Sequence, residues 1–439
     1  MSPNGDIGKM KANYKKAITK IQTVIIAVVL IVAGVAGSAI YYYYSAAPVS
    51  EELIKIGITA PLTGPLASSG KEGQEAILIA VDEWNAKGGI YVNEYNRKLK
   101  IKVFIEDNEG KPENAVANLE MLITREKIHI GVVSYGSSIA MACMELASKY
   151  GIPIVSFDAA SSSLPRKFMS DPYKYRYYFK MCINATGEVV ALVDALNWLT
   201  EKTFWQPKTK TVAIIAAEGA WGREADIGAD LLKNAGWDVV ALEYVQSGVT
   251  DFYSFLTKVQ AQRPALVYVR FFEVPQGASF IKQFHEVGCN SLVIFCLCPS
   301  YADFVPSAGR ENVEGLIWES LDFDPLFPAH AAFAQKVTQR FNTPTGAGHL
   351  WCYDPFNALM SCIEKAQSVG ADAITQSLLA LEYEGLLGLL KIQPATHEVM
   401  CDSQHLPRVT AQFQNGVSKA FFPESRATTT YVPQPWAYW

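Results

Sequence analysis

The stretch Ile54–Ile90, IKIGITAPLTGPLASSGKEGQEAILIAVDEWNAKGGI, decides the fold. It opens as an apolar run of strand length and passes through a loop of Pro, Gly and Ser. It then places Ile77, Ala80, Val81 and Trp84 at helical spacing and closes on Gly88 and Gly89. Strand, polar loop and helix make one βα unit, and the alternation continues. LKIKVFIE alternates as a strand, PENAVANLEMLITREK reads as a helix with Pro112 at its start, and IHIGVVS, SIAMACMELASKY and IPIVSF follow. After the aromatic segment YKYRYYFKM the pattern restarts at TVAIIAA and runs to LVIFCLC. Two such runs imply two parallel sheets, each covered by helices on both faces.

The chain is expected to cross between the lobes near Phe179–Ile183, Leu316–Leu321 and Tyr383–Gly388. The helices PAHAAFAQKVTQRFN and LWCYDPFNALMSCIEKAQSVG then return to the first lobe. Lobe one is read as 53–180 with 320–382, and lobe two as 183–317 with 385–425. Residues 426–439 form a C-terminal tail. In open parallel sheets ligands bind outside the carboxyl ends of the strands. The polar loop Pro61–Gly70 is such an end, as are Ser134–Ser138, Asp158–Ser163, Glu218–Gly222, Phe271–Val274 and Cys296–Ser300. Two lobes facing each other with these edges form a cleft.

Within that cleft, VVSYGSSIAM places Ser137 and Ser138 where a helix begins. Unpaired N–H groups and the positive dipole end suit a small anion there, against the plainer role of a helix cap. Asp158, in SFDAASSSL, faces the same cleft and suits an ammonium group, or else stabilises its own turn. Trp221 in EGAWGREA covers either a ligand or the facing lobe. RFFEVPQG offers Phe271, Phe272 and Glu273 at another strand end.

The chain has 439 residues, half of them hydrophobic and 18% charged, a composition of packed domains. Five of the first twenty residues are lysines against one acid, so the body is more acidic than the net charge of −5. An acidic body leaves no footprint for nucleic acid. Residues 21–50 hold no charged side chain. The segment 21–44 follows the basic residues 1–20 and ends on Tyr41–Tyr44, and its length of about 20 apolar residues suits a membrane span. It is read as an anchor, with a signal cleaved near Ala39 or Ala47 as the alternative and 45–52 as a linker. Either way the body is exported. The eight cysteines form no dense framework, though one or two disulfides are possible. Cys401 and His405 lie at ligand-like spacing without a second pair, so no metal and no cofactor is expected. No G-x-S-x-G, Walker, H-E-x-x-H or G-x-G-x-x-G signature is present, which argues against an enzyme.

IGITAPLTGPLASSGKEGQEAILIAVDEWNAKGGI resembles the opening of the leucine/isoleucine/valine-binding family of ABC transporter receptors. GVVSYGSSIAMACMELASKYGIPIVSFDAASSSL resembles that family's ligand-binding segment, and VAIIAAEGAWGREADIGADLLKNAGWDVV resembles the start of its second lobe. The resemblance runs from about Leu53 to Pro423. It implies a type I periplasmic-binding-protein fold: α/β, two Rossmann-like lobes with parallel sheets, three hinge crossovers, and ligand capture by hinge closure. It also implies that Ser137 and Ser138 bind a carboxylate and that Ala159 or Ala160, with Ser161, holds an amino group. Trp221 closes over the ligand, and Ser69 stands where the family has an aromatic. The family's acid for the amino group falls near Cys296–Cys298, where this chain has none. Glu273 or Asp158 could substitute, or the ligand carries no ammonium.

The expected function is an extracytoplasmic, membrane-anchored, monomeric receptor. It would capture a branched-chain or other amino acid, an amide or a small carboxylate for an ABC permease and its ATPase. A sensor ectodomain of the same fold, working with a signalling partner, and a cleft enzyme are the rivals.

Overall fold

The computed structural model describes residues 19–20, 22–38, 52–320 and 324–437. The chain divides into two units, 1–52 and 53–439. In the first, residues 22–38 form a helix. Its polar side chains bond their own backbone: Thr23 Oγ1 donates to the Thr19 carbonyl at 2.8 Å and Ser38 Oγ to that of Gly34 at 2.7 Å. Among the described residues no helix is long and apolar enough to cross a membrane. The expected anchor, 21–44, reaches past this helix at both ends. Residues 21 and 39–44, most of the basic segment 1–20 and most of the linker 45–52 lie outside the described residues.

The second unit holds two large sheets. The first runs in the order Glu382–Glu384, Leu389–Gln393, Glu398–Val399, Tyr178–Lys180, Ile154–Ser156, Ile130–Val133, Ile54–Ala60 and Ile101–Asp107. The second runs Val417–Phe422, Val409–Gln414, Ile317–Ser320, Leu292–Leu297, Leu266–Phe271, Thr211–Ala217 and Asp238–Val245. The body of each sheet is parallel, as the βα alternation predicts. Each departs from the expected all-parallel form at one edge. There the late strands pair antiparallel, most of them with a strand reached by a short connection and Val409–Gln414 also with the distant strand Ile317–Ser320.

The chain leaves the first sheet after strand Tyr178–Lys180 and the second after strand Ile317–Ser320, and Leu321, the end of the second expected passage, lies outside the described residues. The third is displaced. Residues 385–399, expected in lobe two, extend the first sheet, and the chain enters the second sheet only at Val409. Glu398 pairs in parallel with Lys180 and its carboxylate meets the Lys180 ammonium at 3.0 Å, which fixes this strand to lobe one. The tail is docked on the second sheet, where the Gln434 side-chain amide brackets the backbone of Val293 at 2.9 and 2.7 Å.

The opening stretch folds as its pattern requires. Helix Ala67–Ala86 buries Ala76, Ile77, Ala80, Val81 and Trp84. Trp84 Nε1 donates to Asn357 Oδ1 at 2.9 Å on helix Ala347–Ala366. The helix begins hard against the strand before it, and a Cβ on Gly70 would lie 1.9 Å from the Pro61 carbonyl oxygen. Gly70→Ala must push the two backbones apart. It is expected to cost about 1–3 kcal/mol of stability, read as a lower urea midpoint with unchanged slope.

Candidate functional site

Between the carboxyl ends of the two sheets lies a cavity. Its walls are mainly apolar, among them Tyr135, Phe157, Met181, Phe272, Trp351 and Leu390. Polar groups reach it at few points, the pattern of a small-molecule site.

The first is the start of helix Ser137–Tyr150. Strand Ile130–Val133 ends, and Gly136 turns the chain with φ of 98°, a conformation open to glycine. The Gly136 N–H donates to the Asp158 carbonyl at 2.8 Å. The first helical bond runs from Ala140 N–H to the Gly136 carbonyl at 2.9 Å, so the N–H groups of Ser137, Ser138 and Ile139 precede the helical ladder. All three residues line the cavity. Ser137 Oγ accepts from Ser161 N–H and Ser138 Oγ from Ala220 N–H, both at 3.1 Å, which leaves each hydroxyl proton available to a guest.

The second is Asp158. It lines the cavity and keeps accessible surface toward it while the protein encloses the carboxyl. Its side-chain contact is the Cys182 thiol, Sγ to Oδ1 at 3.6 Å. Burial, with the Glu188 carboxylate adding to it and Cys182 opposing, pushes the Asp158 carboxyl up to about 8.

The third is Trp221 with what lies behind it. The sequence places this Trp in an exposed loop, but the fold buries it with 6% exposure. It lines the cavity edge-on to Phe272, ring centroids 5.7 Å apart. Its Nε1–H donates to Glu188 Oε2 at 3.0 Å, and the Arg270 guanidinium lies 4.4 Å from its ring centroid. Arg270 is fully buried, bonds Glu188 at 2.9 Å and donates to Tyr268 Oη at 2.9 Å. Tyr268 in turn donates to Glu319 at 2.7 Å.

The structure thus gathers Ser137, Ser138, Asp158, Ala160, Trp221 and Phe272 at one cavity. It puts four expected residues elsewhere. Ser69 Oγ donates to the Leu66 carbonyl at 2.8 Å inside the helix, and Leu66 takes the cavity wall instead. Ala159 belongs to a hydrophobic cluster of lobe one. Ser161 Oγ donates to Glu224 at 2.8 Å. Glu273 is buried and accepts the Gly248 N–H at 2.9 Å, steadying a loop. Glu188 and Arg270 were not singled out from the sequence, although an arginine inside the apolar strand ALVYVRFF is a signal, since a charge there needs a buried partner. All eight cysteines are free thiols, and among the described residues no group of three or more potential metal ligands forms. His405 turns to Asp402 at 2.9 Å and Cys401 to the Leu406 carbonyl at 3.6 Å.

Residues 53–405 match the periplasmic binding protein family, and the chain belongs to it. The Leu/Ile/Val-binding protein BraC3 of Rhizobium johnstonii is 26% identical over 336 residues, 76% of this chain and 85% of that one. The crystal structure of a putative branched-chain amino acid ABC transporter protein from Silicibacter pomeroyi is 24% identical. It has a TM-score of 0.76 and covers 88% of this chain and 100% of its own. The solute-binding protein of an ABC transporter from Rhodopseudomonas palustris BisB5, solved with 3,4-dihydroxybenzoic acid, is 20% identical. Its TM-score is 0.71, and the match covers 87% of this chain and 99% of that one.

Because the native state keeps the Asp158 proton to about 8, while an unfolded Asp loses it near 3.9, the empty protein loses stability as pH rises between those values. Asp158→Asn removes that loss. Without added ligand, its melting temperature should exceed the parent's by a margin that widens by several degrees from about pH 4 to about pH 8, then levels.

Proposed function

We propose that this periplasmic binding protein is the extracytoplasmic receptor of an ABC importer. Its ligand is a small molecule with a carboxylate or equivalent acceptor and an apolar body. One observation carries the reading: an apolar cavity between two lobes receives the N-terminus of helix Ser137–Tyr150 with two serine hydroxyls that can still donate. Such a helix end favours an anion, and apolar walls favour the remainder of the molecule. Leucine, isoleucine and valine, after which BraC3 is named, and the dihydroxybenzoic acid of the R. palustris protein all share this build. Asp158 decides between them. An ammonium group would restore its charge, whereas a simple acid or an amide would meet it protonated.

Calorimetry with branched-chain amino acids, their deaminated acids and benzoates tests this. Ser137→Ala removes a hydrogen bond to a charged group, worth about 1.5–3 kcal/mol, so affinity for the best ligand should fall roughly ten- to a hundredfold. Trp221→Ala should weaken binding separately by opening the wall between Phe272 and Glu188. If both variants bind like the parent, the cavity is not the ligand site.

The membrane anchor is part of the proposal. Support comes from residues 21–50, which lack charge and follow five lysines, and from the helix at 22–38. The full segment has the length of about 20 residues that a bilayer requires. The full chain should therefore stay in the membrane pellet after alkaline carbonate, and a chain lacking residues 1–50 should be soluble. Release of the full chain by carbonate would disprove the anchor.

A further inference from the structure

We infer that Glu224 is a clasp that holds the two lobes together, and that Ser161 and Ser162 serve this clasp rather than the ligand. Glu224 belongs to lobe two, at the end of the turn Gly222–Glu224, and is 3% exposed. Every side-chain hydrogen bond it accepts among the described residues comes from lobe one. Its Oε1 takes the Ser161 hydroxyl at 2.8 Å and the Ser162 N–H at 3.0 Å, and the Ser162 hydroxyl lies 2.8 Å from both carboxylate oxygens. The carboxylate stands at the N-terminus of helix Ser163–Ser170, where the dipole favours it. The Arg166 guanidinium approaches to 3.6 Å, but its side chain is largely exposed and solvent weakens the pair.

Among the described residues no side chain of its own lobe bonds this carboxylate, and Glu224 precedes helix Ala225–Asn234 without a side-chain cap bond, which distinguishes it from Glu72 at another interlobe contact. Glu72 accepts the Ala302 N–H of lobe two at 2.8 Å, but His349 lies 3.4 Å away within lobe one and holds it whether or not the lobes meet. The partners of Glu224 exist only when the lobes are together. When they part, the carboxylate must exchange these bonds for water. It therefore biases the closed arrangement without contributing to the folding of either lobe. The clasp adjoins the cavity through Ser161 N–H on Ser137 Oγ. Within the receptor reading proposed above it acts as a positioning residue, yet its test needs no ligand.

Hydrogen exchange of the full chain, read by mass spectrometry at single amides without added ligand, makes that test. The reporters are Ala220 N–H, bonded to Ser138, and Ala302 N–H, bonded to Glu72; both bonds span the lobes and neither involves Glu224. In Glu224→Gln both amides should exchange roughly tenfold faster, the scale of one lost charge-assisted bond. Amides of the strand Ile130–Val133 should keep the parent's protection. Ser162→Ala leaves the charge in place and should shift the same two reporters in the same direction, and it decides the matter if the Gln variant folds poorly. Acceleration confined to Ser162, with Ala220 and Ala302 at the parent's rate, would reduce Glu224 to a local contact and overturn the clasp. Failure of ligand binding in the parent would instead count against the receptor reading alone.

Discussion

Lys180 holds the place where the lobes are joined. Its ammonium group is buried and donates to the carbonyls of Cys182 and Ile183 at 3.0 and 2.8 Å and to Glu398 at 3.0 Å. Burying an ammonium is costly unless its donors are all used, and here three acceptors meet three donors. Two of them lie on the first passage between lobes and the third on the strand just before the last passage. Asn184 and Arg408 continue the tie, since Arg408 donates to the Asn184 carbonyl and the Asn184 amide approaches Glu398 at 3.4 Å. Segments far apart in sequence are thereby fixed side by side, next to Met181, Cys182 and Ile183 on the cavity wall. On the receptor reading proposed above, closure by rotation would turn about this arrangement.

A second buried charge shapes the cavity. Arg270 and Glu188 form an ion pair with side-chain exposures of 0% and 1%. Breaking such a pair by removing one member leaves an uncompensated charge, so the pair locks the position of whatever packs on it. Trp221 packs on it twice, by its indole N–H and by its ring face. The indole therefore stands as a preset wall, and its orientation does not need a ligand to define it. Charge buried beneath the wall and apolar surface on top of it give a site that is rigid in shape and sparing in polarity.

The sequence made the βα alternation legible because parallel strands buried on both faces read as unbroken apolar runs. It made the cleft legible because strand ends carry Gly, Ser and Asp. Ser137, Ser138 and Trp221, which the structure places on the cavity wall, follow such strand ends. The third passage was not, because LLGLLKI and THEVM carry no local mark of which sheet they join. That is settled by the pairing of Glu398 with Lys180, more than two hundred residues away in sequence. Nor was the fate of Ser69, Ser161 and Glu273. Each is a polar residue at a strand end, and only the three-dimensional neighbourhood shows that a carbonyl, a carboxylate or a backbone N–H has claimed it.

On the receptor reading proposed above, the loop from Asp158 to Ser163 would couple ligand and closure. Asp158 and Ala160 face the cavity, while Ser161 and Ser162, the next residues, face the opposite lobe. The Ser161 N–H also fixes Ser137, the residue at the head of the anion-favouring helix. A guest that orders Ser137 and Asp158 therefore orders the donors that Glu224 needs, and a lobe that brings Glu224 forward orders the residues that a guest needs. If both proposals hold, two sites that share one short segment bias the same equilibrium, so affinity and closure would rise and fall together. Ser161, which the resemblance assigns with Ala159 or Ala160 to the ligand's amino group, stands one residue beyond Ala160 on the cavity wall and bonds Glu224 of the other lobe. On the receptor reading proposed above, this serine makes a contact between lobes in place of a contact with the ligand.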